Sequence, residues 1–335
     1  MSRKPAYQPL QQFLDKFPDI SGNDVNGLGE TAVRRASPFF WHPPERQTHG
    51  ALQKEVTDYH RRSAAVRKWF RPNPPGGRGP DAVPQSETRV DKPAAEWSAI
   101  VKEFTLANES DLAGIARIDP MWIYEGYEIK EPWVIMIGVT MDYAELAEAP
   151  SSFENPRAAV VVAREYNRAA RACRKLRNFI LSQGYYAKAY QGPYATGLNF
   201  LPAAIEAGLG ELGKHGSLIN REVGSSFRLS AVTTDMPLLA DGPDEFGADD
   251  FCMRCQACAN ACPPGAIANE KQMVRGVEKW YVDFDKCIPY FGETLGCALC
   301  LAVCPWSRPG NAANLIKKLQ RRAAKQARGA RTIRE

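Results

Sequence analysis

With 335 residues, 44% hydrophobic and 24% charged, the chain is an ordinary soluble globular sequence, long enough for one substantial core and a smaller module. No apolar run approaches the roughly 18–20 residues that a bilayer span needs, so no integral membrane segment is expected. The formal charge of +5 resides in the tail, because residues 317–335 hold eight Lys/Arg against Glu335 and leave the rest slightly acidic.

Residues 1–95 read as an extended arm. The segment Arg71–Pro80 carries too much Pro and Gly for helix or strand, and Phe39 to His42 with Trp69-Phe70 are its expected anchors. The pair Arg34-Arg35 lacks an apolar segment behind it, so it reads as a solvated pair and not an export signal.

Residues 96–245 alternate between helices and short apolar strands, which predicts an α/β or α+β domain with a covered sheet. Expected elements are an amphipathic helix Glu96–Asn108, strands at Trp133–Val139, Ala158–Ala163 and Leu229–Asp235, and a basic helix Glu165–Gln183 ended by Gly184. Cys173 falls inside that helix as a core thiol. The run Ala203 to Gly216 is a helix passing into Gly208, Gly210, Gly213 and Gly216, where a backbone can turn tightly or approach a large ligand. As a dinucleotide signal it is weak, because it follows a helix and not a first strand.

Residues 246–310 hold eight of the nine cysteines. Cys252, Cys255, Cys258 and Cys262-Pro263 form the C-x2-C-x2-C-x3-C-P run of cubane ferredoxins, and Cys287, Cys297, Cys300 and Cys304-Pro305 form a second set. The fourth cysteine of such a run ligates the other cluster. One 4Fe-4S cluster is therefore expected on Cys252, Cys255, Cys258 and Cys304, and another on Cys287, Cys297, Cys300 and Cys262. Structural zinc is the competing reading of C-x2-C, but zinc ribbons lack the repeated third step and Cys-Pro. A disulfide framework suits a short secreted chain and not this one. Residues 311–335 form a basic tail, either solvated or a docking surface for an acidic electron donor.

Several separate motifs then occur in a telling order: Ala207–Gly213, Gly224–Arg228, Thr234–Pro237, both cysteine runs, Lys279–Asp283, Cys287–Phe291 and Cys304–Pro309. Over roughly residues 96–310 the chain resembles the corrinoid-dependent reductive dehalogenases. The resemblance implies a nitroreductase-like α/β (α+β) domain that holds cobalamin, joined to a ferredoxin-like two-cluster module. It implies corrinoid contacts from Gly208, Gly210, Gly213, Lys214, His215, Gly216, Ser225, Ser226 and Tyr290. It singles out Tyr166 as proton donor and Arg228 as its basic partner; without it, Tyr166 reads as packing and Arg228 as the partner of a surface carboxylate. Tyr194 or Asn199 are expected near the substrate.

The implied reaction is reductive removal of halide from an organohalide such as a halogenated aromatic. Its electrons would come from an external ferredoxin, flavodoxin or reductase. Asp58-Tyr59-His60 is not followed by the glycine of a cobalt-ligating histidine motif, which implies a base-off corrinoid. The related epoxyqueuosine reductases act on a tRNA base and carry an acid before the glycine run; Gln191–Phe200 has no Asp or Glu, and the chain ends soon after Cys304. Both features point to the dehalogenase branch, with no nucleic-acid partner. A plain electron-transfer or corrinoid-carrier protein is the alternative of another class. A cytoplasmic location is expected, unless an export signal has been trimmed away.

Overall fold

The computed structural model describes residues 7–17, 19–37, 61–70, 83–192 and 197–332. Its helices are α1 (Gln11–Leu14), α2 (Gly22–Val25), α3 (Ala64–Phe70), α4 (Ala94–Ala107), α5 (Tyr143–Leu146), α6 (Arg157–Ser182), α7 (Phe200–Glu206), α8 (Ala248–Arg254), α9 (Ala257–Ala261), α10 (Phe284–Glu293), α11 (Leu299–Ala302) and α12 (Asn311–Thr332). The strands are β1 (Leu112–Arg117), β2 (Trp133–Thr140), β3 (Ala187–Tyr190), β4 (Glu211–Leu212), β5 (Leu218–Ile219), β6 (Phe227–Thr234), β7 (Gln272–Val274) and β8 (Val277–Lys279). No described helix is long and apolar enough to cross a membrane.

The central sheet has the order β1-β2-β6-β3, and every pair is antiparallel. The architecture is therefore mixed α+β and not a parallel doubly wound sheet. β2 is buried on both faces through Val134–Val139, as its continuous apolar run requires. On one face α4 and α6 contribute Trp97, Val101, Cys173, Leu176 and Ile180 to the main core. On the other, α7 and the chain after it contribute Ala203, Ala204, Ala207 and Leu209.

The expected strand Ala158–Ala163 is instead the start of α6, which runs unbroken to Ser182. A six-residue apolar run cannot distinguish strand from buried helix by periodicity. Here it is apolar on several sides because the helix is covered on several sides. Ala159 and Ala163 meet α3, Val161 meets Leu301 and Ala302 of the cysteine-rich region, and the later turns meet the sheet. Cys173 lies in the main core with its thiol pushed up to about 12 by burial.

The arm straps the two parts together. Asn23 donates to Asp283 at 3.0 Å and accepts from the Tyr281 hydroxyl and the Phe284 amide, while Ser21 donates to Asp285 at 2.5 Å. Further along, Arg35 donates to the carbonyls of Ile123, Tyr124 and Tyr127, and Arg34 pairs with Glu30 at 2.8 Å. Arg34-Arg35 is thus a clamp and not the solvated pair expected. The expected anchors Phe39–His42, the Arg71–Pro80 strap and Asp58–His60 lie outside the described residues.

Glu211 makes a second tie between the domain of the central sheet and the cysteine-rich module. Its Oε1 accepts from the amides of Phe246, Gly247 and Ala248, and its Oε2 from that of Asp249, at 2.6–3.1 Å. One carboxylate thereby satisfies the amides that open α8. Glu211→Ala leaves those partly buried donors unpaired and is expected to cost about 2 kcal/mol, read as an earlier thermal unfolding of the module. α12 packs Ala312 and Leu315 against Trp306, while Lys317, Lys318, Arg321 and Arg322 stay exposed.

Candidate active site and cluster sites

Each cysteine run follows one local logic. α8 carries Cys252 and ends at Cys255, then α9 carries Cys258 and ends at Cys262, so the fourth thiol points away from the first three. Cys287 lies on α10 and Cys300 on α11, with Cys304 just before a single 3-10 turn. Between α10 and α11 Leu295, Gly296, Cys297 and Ala298 all have positive φ. Three of these are not glycine, a conformation kept only where the surroundings over-determine it.

Cys252, Cys255, Cys258 and Cys304 line one cavity, together with Lys214, His215, Phe251, Pro305 and Trp306. Burial, then the neighbouring thiols, push Cys252 up to about 12 and Cys258 to about 11. In the second group Cys287 is raised to about 12 by burial, with Cys297 and Cys262 next to it, and burial, then Cys297 and Cys287, hold Cys300 well above the ordinary thiol value. Four thiolates held this close are stable together only with compensating cations, so each set has the chemistry of a metal donor set. Among the described residues no three His, Cys, Asp or Glu side chains converge on a single-ion site. A cube of iron and sulfide stands its four thiolates further apart than one ion does.

Lys214, His215 and Ser225, expected at the corrinoid, lie beside the first cysteine set. The Lys214 amide donates to Cys252 Sγ at 3.5 Å, and its ammonium donates to the Asn269 carbonyl at 2.9 Å and lies 4.8 Å from the Trp280 ring centre. His215 is held neutral by burial, with its pKa lowered to about 4. Tyr290 stands near Cys297 and Cys262, which together with burial raise its pKa, and its ring meets Tyr7 edge-on at 4.9 Å.

The expected glycines answer to contacts within the chain. A Cβ on Gly210 would lie 2.1 Å from the Ile219 carbonyl oxygen, one on Gly213 2.7 Å from His215 Cε1, one on Gly208 2.9 Å from the Gly242 oxygen and one on Gly216 3.0 Å from Val282 Cγ2. These glycines let the β4–β5 hairpin close on itself and on the module. Ser226 differs, because its buried hydroxyl has no partner.

Tyr166 and Arg228, 62 residues apart, meet. Tyr166 sits in the third turn of α6 and not at a helix start, and Arg228 near the start of β6 places its guanidinium carbon 5.3 Å from the phenol ring centre. Arg228 Nε is buried without a hydrogen-bond partner. Ser226 and Arg228 stand two residues apart, so they share a face and present two unmet polar atoms to the same side. Gly192 backs the phenol: a Cβ there would lie 2.9 Å from Tyr166 Cε1 and 2.6 Å from the Leu229 oxygen. Phe70 of α3 covers it at 6.2 Å, and Trp69, Phe291 and Leu295 complete the surround. Asn199 caps α7 through the Leu201 amide, and Tyr194 lies outside the described residues.

Residues 251–307 match the 4Fe-4S dicluster domain family. The tetrachloroethene reductive dehalogenase of Dehalobacter restrictus (strain DSM 9455 / PER-K23) is 33% identical over 212 residues, covering 59% of this chain and 37% of its own. Over that span the chain is similar to the reductive dehalogenases. It spans well under half the length of that relative. The epoxyqueuosine reductase of Escherichia coli (strain K12), a second relative, is 32% identical over 197 residues, or 52% of this chain and 48% of its own. A solved reductive dehalogenase, described as suggesting a mechanism for B12-dependent dehalogenation, superposes with a TM-score of 0.68 at 24% identity. It covers 80% of this chain and 41% of its own, and shows the shared fold.

Proposed function

We propose that this chain catalyses cobalamin-dependent reductive removal of halide from an organohalide, with electrons relayed by two 4Fe-4S clusters. The observation that carries the proposal is the meeting of Tyr166 and Arg228 beside an unmet polar face, next to a module with two groups of four cysteines. Cys252, Cys255, Cys258 and Cys304 would hold one cluster, and Cys262, Cys287, Cys297 and Cys300 the other.

Replacing a carbon–halogen bond by a carbon–hydrogen bond consumes two electrons and one proton and releases one halide. A corrinoid supplies low-valent cobalt when bound, and cubane clusters supply electrons singly at potentials down to about −700 mV. Tyr166 holds the proton at its phenol oxygen. The fixed charge of Arg228 stabilises the phenolate left when that proton is given up, which makes transfer easier. Phe70, Trp69 and Phe291 pack around the phenol, and Arg228 Nε and Ser226 Oγ remain to orient a polar ligand.

Of the residues expected to touch the corrinoid, Ser226 is the one with an unmet buried polar atom. His215, the one described histidine, has both ring nitrogens engaged by Ser217 and Ser225. The base-off form of the corrinoid, without a histidine ligand, is proposed on the resemblance alone. The electron donor is then an external ferredoxin, flavodoxin or reductase.

The test is reconstitution with iron, sulfide and cobalamin, followed by halide release from halogenated aromatics under a chemical reductant. Release with multiple turnovers supports the proposal. Reduction of an epoxyqueuosine stem-loop without halide release would transfer the chain to the tRNA-modifying relatives, and cluster reduction with neither activity would make it a carrier.

Gly192→Ala checks the site's shape. The added methyl has no room between the Tyr166 ring and the Leu229 carbonyl, so the phenol must move. Misplacement by about 1 Å can cost about 100-fold in rate, and halide release is expected to fall by that order while iron content stays unchanged.

A further inference from the structure

We propose that Ser225, held in place by His215, is a positioning residue that donates a hydrogen bond to the Cys304 thiolate and thereby raises the reduction potential of the cluster on Cys252, Cys255, Cys258 and Cys304. The inference rests on the two-cluster reading above and adds what sets the potential of one cluster.

The direction of the hydrogen bonds follows from the backbone. The Ser217 amide donates to His215 Nδ1 at 3.2 Å, so that nitrogen carries a lone pair. The neutral ring therefore bears its hydrogen on Nε2, which lies 2.9 Å from Ser225 Oγ. The imidazole donates and the hydroxyl oxygen accepts. The hydroxyl's own hydrogen must then go elsewhere: Cys304 lines the same cavity as His215, on the turn against which the Ser225 amide is bound through Ser307, and Ser225 acts on its thiol as a side-chain hydrogen-bond partner that lowers its pKa against burial. A free serine hydroxyl rotates to suit any neighbour; this one has a single direction left.

Packing keeps the arrangement rigid. Gly224, with φ of +60°, lies so close to the module that a Cβ would sit 2.2 Å from the Trp306 carbonyl oxygen. The Ser225 amide donates to Ser307 Oγ at 3.2 Å. The strand entry is thus pressed onto the turn that carries Cys304. Gly213 leaves the space that the imidazole fills, and His215 and Ser225 are 6% and 1% exposed. Water cannot substitute for the hydroxyl.

Reduction adds negative charge to the cluster and its sulfurs. A hydrogen bond to a ligating sulfur stabilises the reduced form more than the oxidised form, and so raises the potential. Losing a bond of this kind is worth about 1.4 kcal/mol, a tenfold change in the ratio of reduced to oxidised cluster.

The experiment is a potentiometric titration of the reconstituted full chain, followed by electron paramagnetic resonance of the reduced clusters. Ser225→Ala is expected to lower the reduced-to-oxidised ratio of one cluster about tenfold at the wild-type midpoint, or about 59 mV for one electron, leaving the other cluster in place. His215→Ala is expected to shift the same cluster the same way by less, since the hydroxyl then chooses among acceptors, and the double variant to match Ser225→Ala. His215→Gln, which returns a donor toward Ser225, is expected to restore most of the shift. Unchanged midpoints in Ser225→Ala at full iron content would overturn the proposal, and so would equal shifts of both clusters. Wild-type protein with no cubane signal would instead sink the two-cluster reading itself, before any variant is compared.

Discussion

Tyr166→Phe is expected to lower halide release by about 100- to 10,000-fold, the usual contribution of general acid catalysis, while both clusters are retained. The substitution removes one hydroxyl and almost no volume, and the ring contacts with Phe70 and Gly192 do not depend on the hydroxyl. Arg228→Lys keeps a charge but loses the flat guanidinium that lies against the phenol, so it should impair turnover less than Arg228→Ala. Because the two residues act as a unit, Tyr166→Phe combined with Arg228→Ala should be little slower than the poorer single variant. Single-turnover halide release, with iron content measured beside it, separates this outcome from general damage. Near-normal release by Tyr166→Phe would remove the phenol from the mechanism and leave the proton to solvent.

The parts that sequence reasoning reached and missed divide by the range of the contacts involved. The cysteine spacing is a local code, because helix pitch and the Cys-Pro turns decide which thiols face one another within a few residues. α4 and β2 were legible for the same reason, their apolar periods being uninterrupted. The start of α6 was not, because Ala158–Ala163 takes its all-round apolarity from three distant neighbours that no local period reveals. The resemblance supplied Tyr166 and Arg228 as a pair, but not what frames them. Phe70 belongs to a segment that reads as irregular arm, and Gly192 has an ordinary φ whose only signal is the absent side chain.

The glycine run shows how a local signal leaves its partner open. Closely spaced glycines before a basic residue look like a cradle for a large ligand, and Lys214 and His215 look like its contacts. In the folded chain those glycines bring a two-stranded hairpin within backbone contact of itself and of the module. The same closure buries Lys214 and His215 against Cys252 and the other thiols of that set. Positive φ and small size were read correctly as a need for close approach. One approaching partner is the chain itself, which only the tertiary structure could show.

Replacing Cys258 or Cys304 by serine is expected to remove about half of the bound iron in each case, and replacing both to remove no more than either alone. The reasoning is geometric. Cys304 comes from the second cysteine run yet lines the cavity of the first, with Cys252, Cys255 and Cys258. Cys262, from the first run, is a near neighbour of Cys287, Cys297 and Cys300. Two thiolates on one cluster fail together, so their effects do not add. Cys258 with Cys262 makes the contrasting pair: they are four residues apart in one run but belong to different sets, and the double variant should lose nearly all iron. Iron and sulfide analysis after anaerobic reconstitution reads each result directly, and zinc in place of sulfide would mark the thiolates as single-ion sites. Complete iron loss on pairing Cys258→Ser with Cys304→Ser, in protein that still unfolds cooperatively, would show that the crossed assignment is wrong and that each run serves its own cluster.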